Sequence, residues 1–311
     1  MEKSALLGLI DEFLEYLEIE KNCSKLTIRD YRHYLEVFDK WYSTTQQGKQ
    51  IKDLDLGTVR KYRVFLANRA DEKGLTLKRV TQNYYIIALR SFLRFLIKND
   101  HETLEHSKID LPRAESKSLK FLEKEQVDRL VMEADTSKEE GIRDRAIMEL
   151  LFSTGLRVSE LVGLNRDRIN LERREFGVIG KGGKSRLVFV SDRAAEWIKR
   201  YLDKREDNFK PLFIRYSGAI VNENGGEKMR LTARSVERLV KKYVRKARIP
   251  VDATVHTLRH SFATDLLTNG ADIRSVQEML GHKNIATTQI YTHITNKQLH
   301  DVHKSFHSGN K

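Results

Sequence analysis

The chain has 311 residues, with 57 Lys+Arg against 44 Asp+Glu and a formal net charge of +13; at roughly 100–200 residues per domain that is room for about two domains. Gly (17) and Pro (3) are scarce, which argues against a turn-rich all-β protein and for helices. The lone Cys23 excludes an intrachain disulfide and a thiolate metal cluster, and no apolar run nears the ~18 residues of a membrane span.

Along the chain, Leu6, Ile10, Phe13, Leu14 and Leu17 fall on one face of a first helix. Its acidic, amphipathic opening over residues 1–20 is unlike a targeting peptide. A second stripe runs Ile28, Tyr31, Leu35, Phe38, Trp41, with Thr27 as the expected N-cap. A third runs Val59, Tyr62, Leu66, and a fourth Val80, Tyr84, Ile87, Ala88, Phe92, Phe95, Leu96. Four amphipathic helices suffice for a small helical domain over residues 1–105. The polar, mixed-charge stretch around Pro112 reads as an interdomain linker, placed at 106–117. A second domain, 118–311, opens with helical periodicity at 123–134 and 141–152. Two β-prone runs, 175–180 and 185–190, flank Lys181-Gly-Gly-Lys184 and signal a hairpin. Helical patterns return at 192–204, 232–247, 258–268, 272–279 and 296–306.

Residues 1–110 carry a net charge of only +2 and residues 111–311 carry +11. Such an excess asks for an anionic partner, nucleic acid first, in a soluble, cytoplasmic protein. Four clusters could carry chemistry. Ser153-Thr-Gly-Leu-Arg157-Val-Ser-Glu160-Leu161 places Arg157 at a helix–turn–helix junction, after a helix stop at Gly155. Lys181 sits at the tip of the expected hairpin. His256 and Arg259 are three apart and share a helix face. Leu280-Gly-His282-Lys283 is followed nine residues later by Tyr291. Each also has an ordinary reading: a junction arginine can be a cap or salt bridge, and a hairpin lysine can be solvated. His256 and His260, one helical turn apart, lack the Glu that a metalloprotease pattern needs after the first His, since Thr257 stands there. No metal site is expected.

Taken in order, Arg157, Lys181, His256-x-x-Arg259, His282 and Tyr291, each inside its own motif, resemble the signature of the tyrosine recombinases. Those motifs are Thr154-Gly-Leu-Arg-Val-Ser-Glu-Leu161, Gly180-Lys-Gly-Gly-Lys184, His256-Thr-Leu-Arg-His-Ser-Phe-Ala-Thr264 and Leu280-Gly-His-Lys-Asn-Ile-Ala-Thr-Thr-Gln-Ile-Tyr-Thr-His293. The short chain is most similar to the Xer branch, strongly over about residues 118–307 and more weakly over 1–107.

The resemblance implies a mainly α fold with a small β-hairpin, built as a two-domain C-shaped clamp. Its first domain would be a SAM-like core-binding domain and its second the catalytic one. It implies a site-specific recombinase that cleaves double-stranded DNA through a 3′-phosphotyrosyl intermediate and a Holliday junction, without metal, ATP or other cofactor. Arg157, Arg259 and His282 would hold the phosphate, Tyr291 would attack it, His256 would accept the tyrosine proton, and Lys181 would protonate the leaving 5′-oxygen. Lys78, Arg79 and Arg90, with Arg234 and Arg238 in the later helix, are candidate phosphate contacts. Leu299, Val302 and Phe306 stripe a last helix that would dock on a neighbouring protomer. Four copies would then form the synapse, from a free monomer or a dimer on one site, with a DNA translocase as a further partner. Chromosome or plasmid dimer resolution is the expected duty. A mobile-element integrase, a type IB topoisomerase and a non-catalytic DNA-binding protein of the same fold are the alternatives left open.

Overall fold

The computed structural model describes residues 4–70, 74–111, 119–180 and 185–281. The chain divides into two compact units, 1–116 and 117–311, each with its own core.

The first unit holds α1 (Ala5–Ile19), α2 (Lys25–Thr45), α3 (Leu56–Asn68) and α4 (Arg79–Lys98). The stripes of α1 and α3 are buried as their spacing predicts. Side-chain oxygens begin three of the helices: Ser4, Ser24 and Asp55 accept from the backbone N–H of Leu7, Thr27 and Thr58. The cap of α2 is therefore Ser24, not Thr27, whose own N–H is the donor. The face of α4 also differs from the expected one. Val80 and Tyr84 are about half exposed, while Tyr85, Ile86, Leu89 and Leu93 are buried with Ala88, Phe92, Phe95 and Leu96. Phe13 packs between the rings of Phe92 and Phe95, at centroid distances of 5.6 and 5.4 Å. Ile109, inside the stretch read as linker, is buried in this core, with Leu104 and Leu111 packed beside it.

The second unit holds α5 (Lys124–Met132), α6 (Glu139–Thr154), α7 (Val158–Val162), β1 (Glu175–Ile179), β2 (Ser185–Phe189), α8 (Asp192–Asp203), α9 (Ala233–Lys246), α10 (Val255–Thr268) and α11 (Ile273–Leu280). The two strands pair antiparallel, with Phe176 opposite Val188 and Val178 opposite Arg186. Two helices sit deep. On α6, Ile142, Ala146, Ile147, Met148, Leu150 and Leu151 are buried around the whole circumference, as befits a central helix. α10 buries Val255, Leu258, Ala263 and Leu267 together with the polar Thr257, Arg259, Ser261 and Thr264.

Burying polar groups is tolerable only when they are paired. Arg143 forks onto Asp144, which also accepts from the Tyr243 hydroxyl at 2.9 Å. Ser261 accepts from Leu122 N–H at 2.8 Å and donates to the carbonyl of Thr257 at 2.9 Å, tying the entry of this unit to α10. No helix among the described residues is long and apolar enough to cross a membrane.

Candidate active site

α6 ends where the motif predicts. Gly155 takes a left-handed conformation (φ 58°), and its N–H returns to the carbonyl of Leu151 at 3.0 Å. A Cβ at Gly155 would stand 2.5 Å from Cδ1 of Phe262 on α10, so both the turn and the close approach require glycine. The chain then buries Leu156 and reaches Arg157, which caps the short α7. Arg157 N–H donates to Oε2 of Glu160 at 2.8 Å, and its Nη1 donates to Oε1 at 2.9 Å. One carboxylate thereby fixes both the backbone and the guanidinium of Arg157, whose side chain stays 29% exposed.

Arg259 is buried on the inner face of α10. Its Nη1 donates to the carbonyl of Gly155 and its Nη2 to that of Leu280. The second guanidinium of the motif is thus seated against the turn that presents the first, and against the end of the helix that leads into His282. His256, one turn earlier on α10, is exposed. His260 is half-buried, and desolvation, followed by the charges of His256 and Arg259, pulls its pKa down. Among the described residues no group of three His, Cys, Asp or Glu side chains could hold a metal ion.

Two residues the sequence reading left without a role complete the arrangement. Arg186 on β2 donates from Nη1 and Nη2 to Oε1 and Oε2 of Glu160, both at 2.8 Å, and from Nε to the carbonyl of Met279 at 3.1 Å. Glu160 is 5% exposed. Burial alone would raise its pKa. The hydrogen bonds from Arg186 and from the Arg157 N–H, with both guanidinium charges, overcome that and hold it down to about 2. A signal for Arg186 was present in the sequence. Alternation along β2 puts residues 186 and 188 on the same face, and Val188 is buried. An arginine at an inward position of a strand needs a buried partner. α11 closes on Gly281 (φ 64°), where a Cβ would lie 3.0 Å from Cδ of Arg186.

Lys181, His282 and Tyr291 lie outside the described residues, as do Leu299, Val302 and Phe306. Lys78 precedes α4 as its exposed N-cap residue; Arg79 is exposed and Arg90 half-buried on that helix. Arg234 and Arg238 are exposed on α9, in a stripe with Lys241, Lys242 and Arg245, opposite the buried Val236, Val240 and Tyr243.

A mainly helical unit with two antiparallel strands among its described residues, two guanidiniums tied to a single turn and a helical unit before it in the chain are the features of a tyrosine recombinase fold. The chain is similar in structure to the XerH site-specific recombinase bound to palindromic difH substrate (TM-score 0.69, 22% identity, 95% of this chain and 83% of that one). It is also similar to a lambda integrase (75–356) dimer bound to a COC′ core site (TM-score 0.67, 15% identity, 92% and 94%).

Residues 120–298 match the Phage integrase family, and residues 10–100 match the Phage integrase, N-terminal SAM-like domain. The chain is 40% identical over 308 residues to tyrosine recombinase XerD of Lacticaseibacillus casei, covering 96% of this chain and 98% of the relative. It is 37% identical over 297 residues to tyrosine recombinase XerC of Bacillus subtilis, covering 95% and 94%. The chain belongs to the phage integrase family and is a site-specific tyrosine recombinase of the Xer type.

Proposed function

We propose that the chain cleaves and rejoins duplex DNA at a short, roughly palindromic site, and that its duty is the resolution of chromosome or plasmid dimers on the nucleoid in the cytoplasm. The Tyr291 oxygen attacks the scissile phosphorus while His256 takes the tyrosine proton. The 5′-oxygen leaves with a proton from Lys181, so one P–O ester replaces another. The phosphotyrosyl link keeps the bond energy, and rejoining needs no ATP. Arg157 and Arg259, with His282, hold the non-bridging oxygens, where charge grows in the transition state. Arginine suits this role because its donors are forked and it keeps its proton.

The observation that carries this reading is the shared turn at Gly155. Arg157 leaves that turn and Arg259 bonds its carbonyl, so the two cationic groups meant for one phosphate are set by one rigid, buried junction. The exposed bases on α4 and α9 support DNA contact through phosphates. Lys78, Arg79, Arg90, Arg234 and Arg238 are the residues assigned to it, within an N-terminal DNA-binding domain over 1–105 and a catalytic domain over 118–311. The last helix would dock on a neighbouring protomer and couple four active sites in a synapse, with two cutting at a time through a Holliday junction. A DNA translocase would be a further partner that activates the exchange.

The test is a supercoiled plasmid with two directly repeated copies of a duplex site selected by the protein's own binding from a randomised pool. Incubation with the protein, or with protein and translocase, is expected to yield two smaller circles. A plasmid that is relaxed without any exchange would overturn the recombinase reading in favour of a topoisomerase.

A further inference from the structure

Arg186 belongs to none of the six positions given a chemical role, yet its guanidinium joins three separate segments. It spans both oxygens of Glu160 on α7 and reaches the carbonyl of Met279 near the end of α11, from a position on β2. Its side chain is 10% exposed. A buried guanidinium is stable only when its donors are matched, and here the matching groups are the Arg157 anchor and the last turn before His282. Glu160 passes the constraint on, since the same carboxylate accepts from both the N–H and the Nη1 of Arg157. Arg259 pins the next carbonyl along, that of Leu280, so two arginines fix consecutive peptide units at the end of α11. The left-handed Gly281 that follows leaves room for the Arg186 side chain.

We infer that Arg186 is a positioning residue for strand cleavage. Through Glu160 it sets the direction of the Arg157 guanidinium, and through Met279 it fixes the last turn of α11. Lysine cannot replace it, because one ammonium cannot span two carboxylate oxygens and a carbonyl in a fixed fork. The inference rests on the proposed phosphate-binding role of Arg157.

The full-length chain is tested in single-turnover cleavage of a nicked suicide duplex carrying the selected site, with gel-shift affinity measured beside it. Arg186→Gln and Arg186→Lys should each slow formation of the covalent adduct by about 10–100-fold, the scale of a misplacement near 1 Å, while affinity for the duplex stays at the wild-type value. Glu160→Gln should slow it similarly. The Glu160→Gln, Arg186→Gln double variant should be no slower than the slower single one, because both remove the same constraint. If Arg186→Gln melts below the assay temperature, Arg186→Lys and Glu160→Gln give the same comparison. Wild-type rates in the Arg186 variants, a loss explained by weaker binding, or effects that multiply would overturn the inference while leaving the recombinase reading intact. No adduct from the wild-type chain would overturn both.

Discussion

Arg259 donates a hydrogen bond to the carbonyl of Gly155, 104 residues earlier in the chain. The contact joins the two helices that run through the centre of the catalytic unit at the point where α6 turns toward Arg157. It also gives Arg259 a structural role beside its proposed phosphate contact, because the same guanidinium holds the carbonyl of Leu280.

Arg259→Lys should therefore fail in two measurable ways. Adduct formation should fall by at least about 100-fold, the usual loss when a preorganised oxyanion donor is removed. Stability to urea should fall by about 1–3 kcal/mol, because a buried carbonyl is left without its partner. An enzyme that loses neither would show that the two carbonyl contacts and the phosphate role are wrongly assigned.

Glu160 gives a prediction in acid. Its folded pKa of about 2 lies below the ordinary carboxylate range, so the unfolded chain binds this proton more readily than the folded one. The resulting stabilisation is fully present above about pH 4.5 and is lost as pH falls toward about 2. Asp55, Asp207 and Asp272 are also held low and act equally in the wild type and in Glu160→Gln. The difference in melting temperature between those two proteins should shrink steadily from pH 4.5 to pH 2. A difference independent of pH would contradict the ion-pair account.

Two glycines separate conformation from composition. Gly155→Ala forces a left-handed alanine, at about 1–2 kcal/mol, and drives its Cβ into the Phe262 ring; it should destabilise the chain by more than that conformational cost. Gly8→Ala lies inside α1 with nothing within 4 Å of its Cβ and should stabilise by about 0.5–1 kcal/mol. Urea denaturation of both variants checks the contrast.

What could be read from the sequence depended on how far apart the deciding residues were. In α1 and α3 one continuous series at three- and four-residue spacing is the buried face, although apolar Ile19 and Val64 lie off it and are exposed. Residues 84–89 of α4 run Tyr-Tyr-Ile-Ile-Ala-Leu, and an unbroken apolar run does not say which side faces the core; Val80 and Tyr84 were misplaced for that reason. Thr27 and Ser24 are both hydroxyls, and only the extended backbone at Ser24 (φ −67°, ψ 150°) makes it the cap. Arg157 and Arg259 stood out as candidates because each stands within a dense local motif. The Glu160–Arg186 pair is 26 residues apart, and its link to Met279 spans 93. The inward position of Arg186 on β2 signals that it needs a partner, but Glu160 and Met279 become its partners only once the hairpin folds onto α7 and α11.

The most direct test of the account is the identity of the covalent bond to DNA. The wild-type chain is incubated with the nicked suicide duplex in EDTA, the adduct is digested with trypsin, and the nucleotide-bearing peptide is sequenced by mass spectrometry. The modified peptide should carry the DNA 3′-phosphate on Tyr291, and Tyr291→Phe should give no adduct while still shifting the duplex. An adduct on any other residue, one that survives Tyr291→Phe, or cleavage that requires a divalent cation would contradict it.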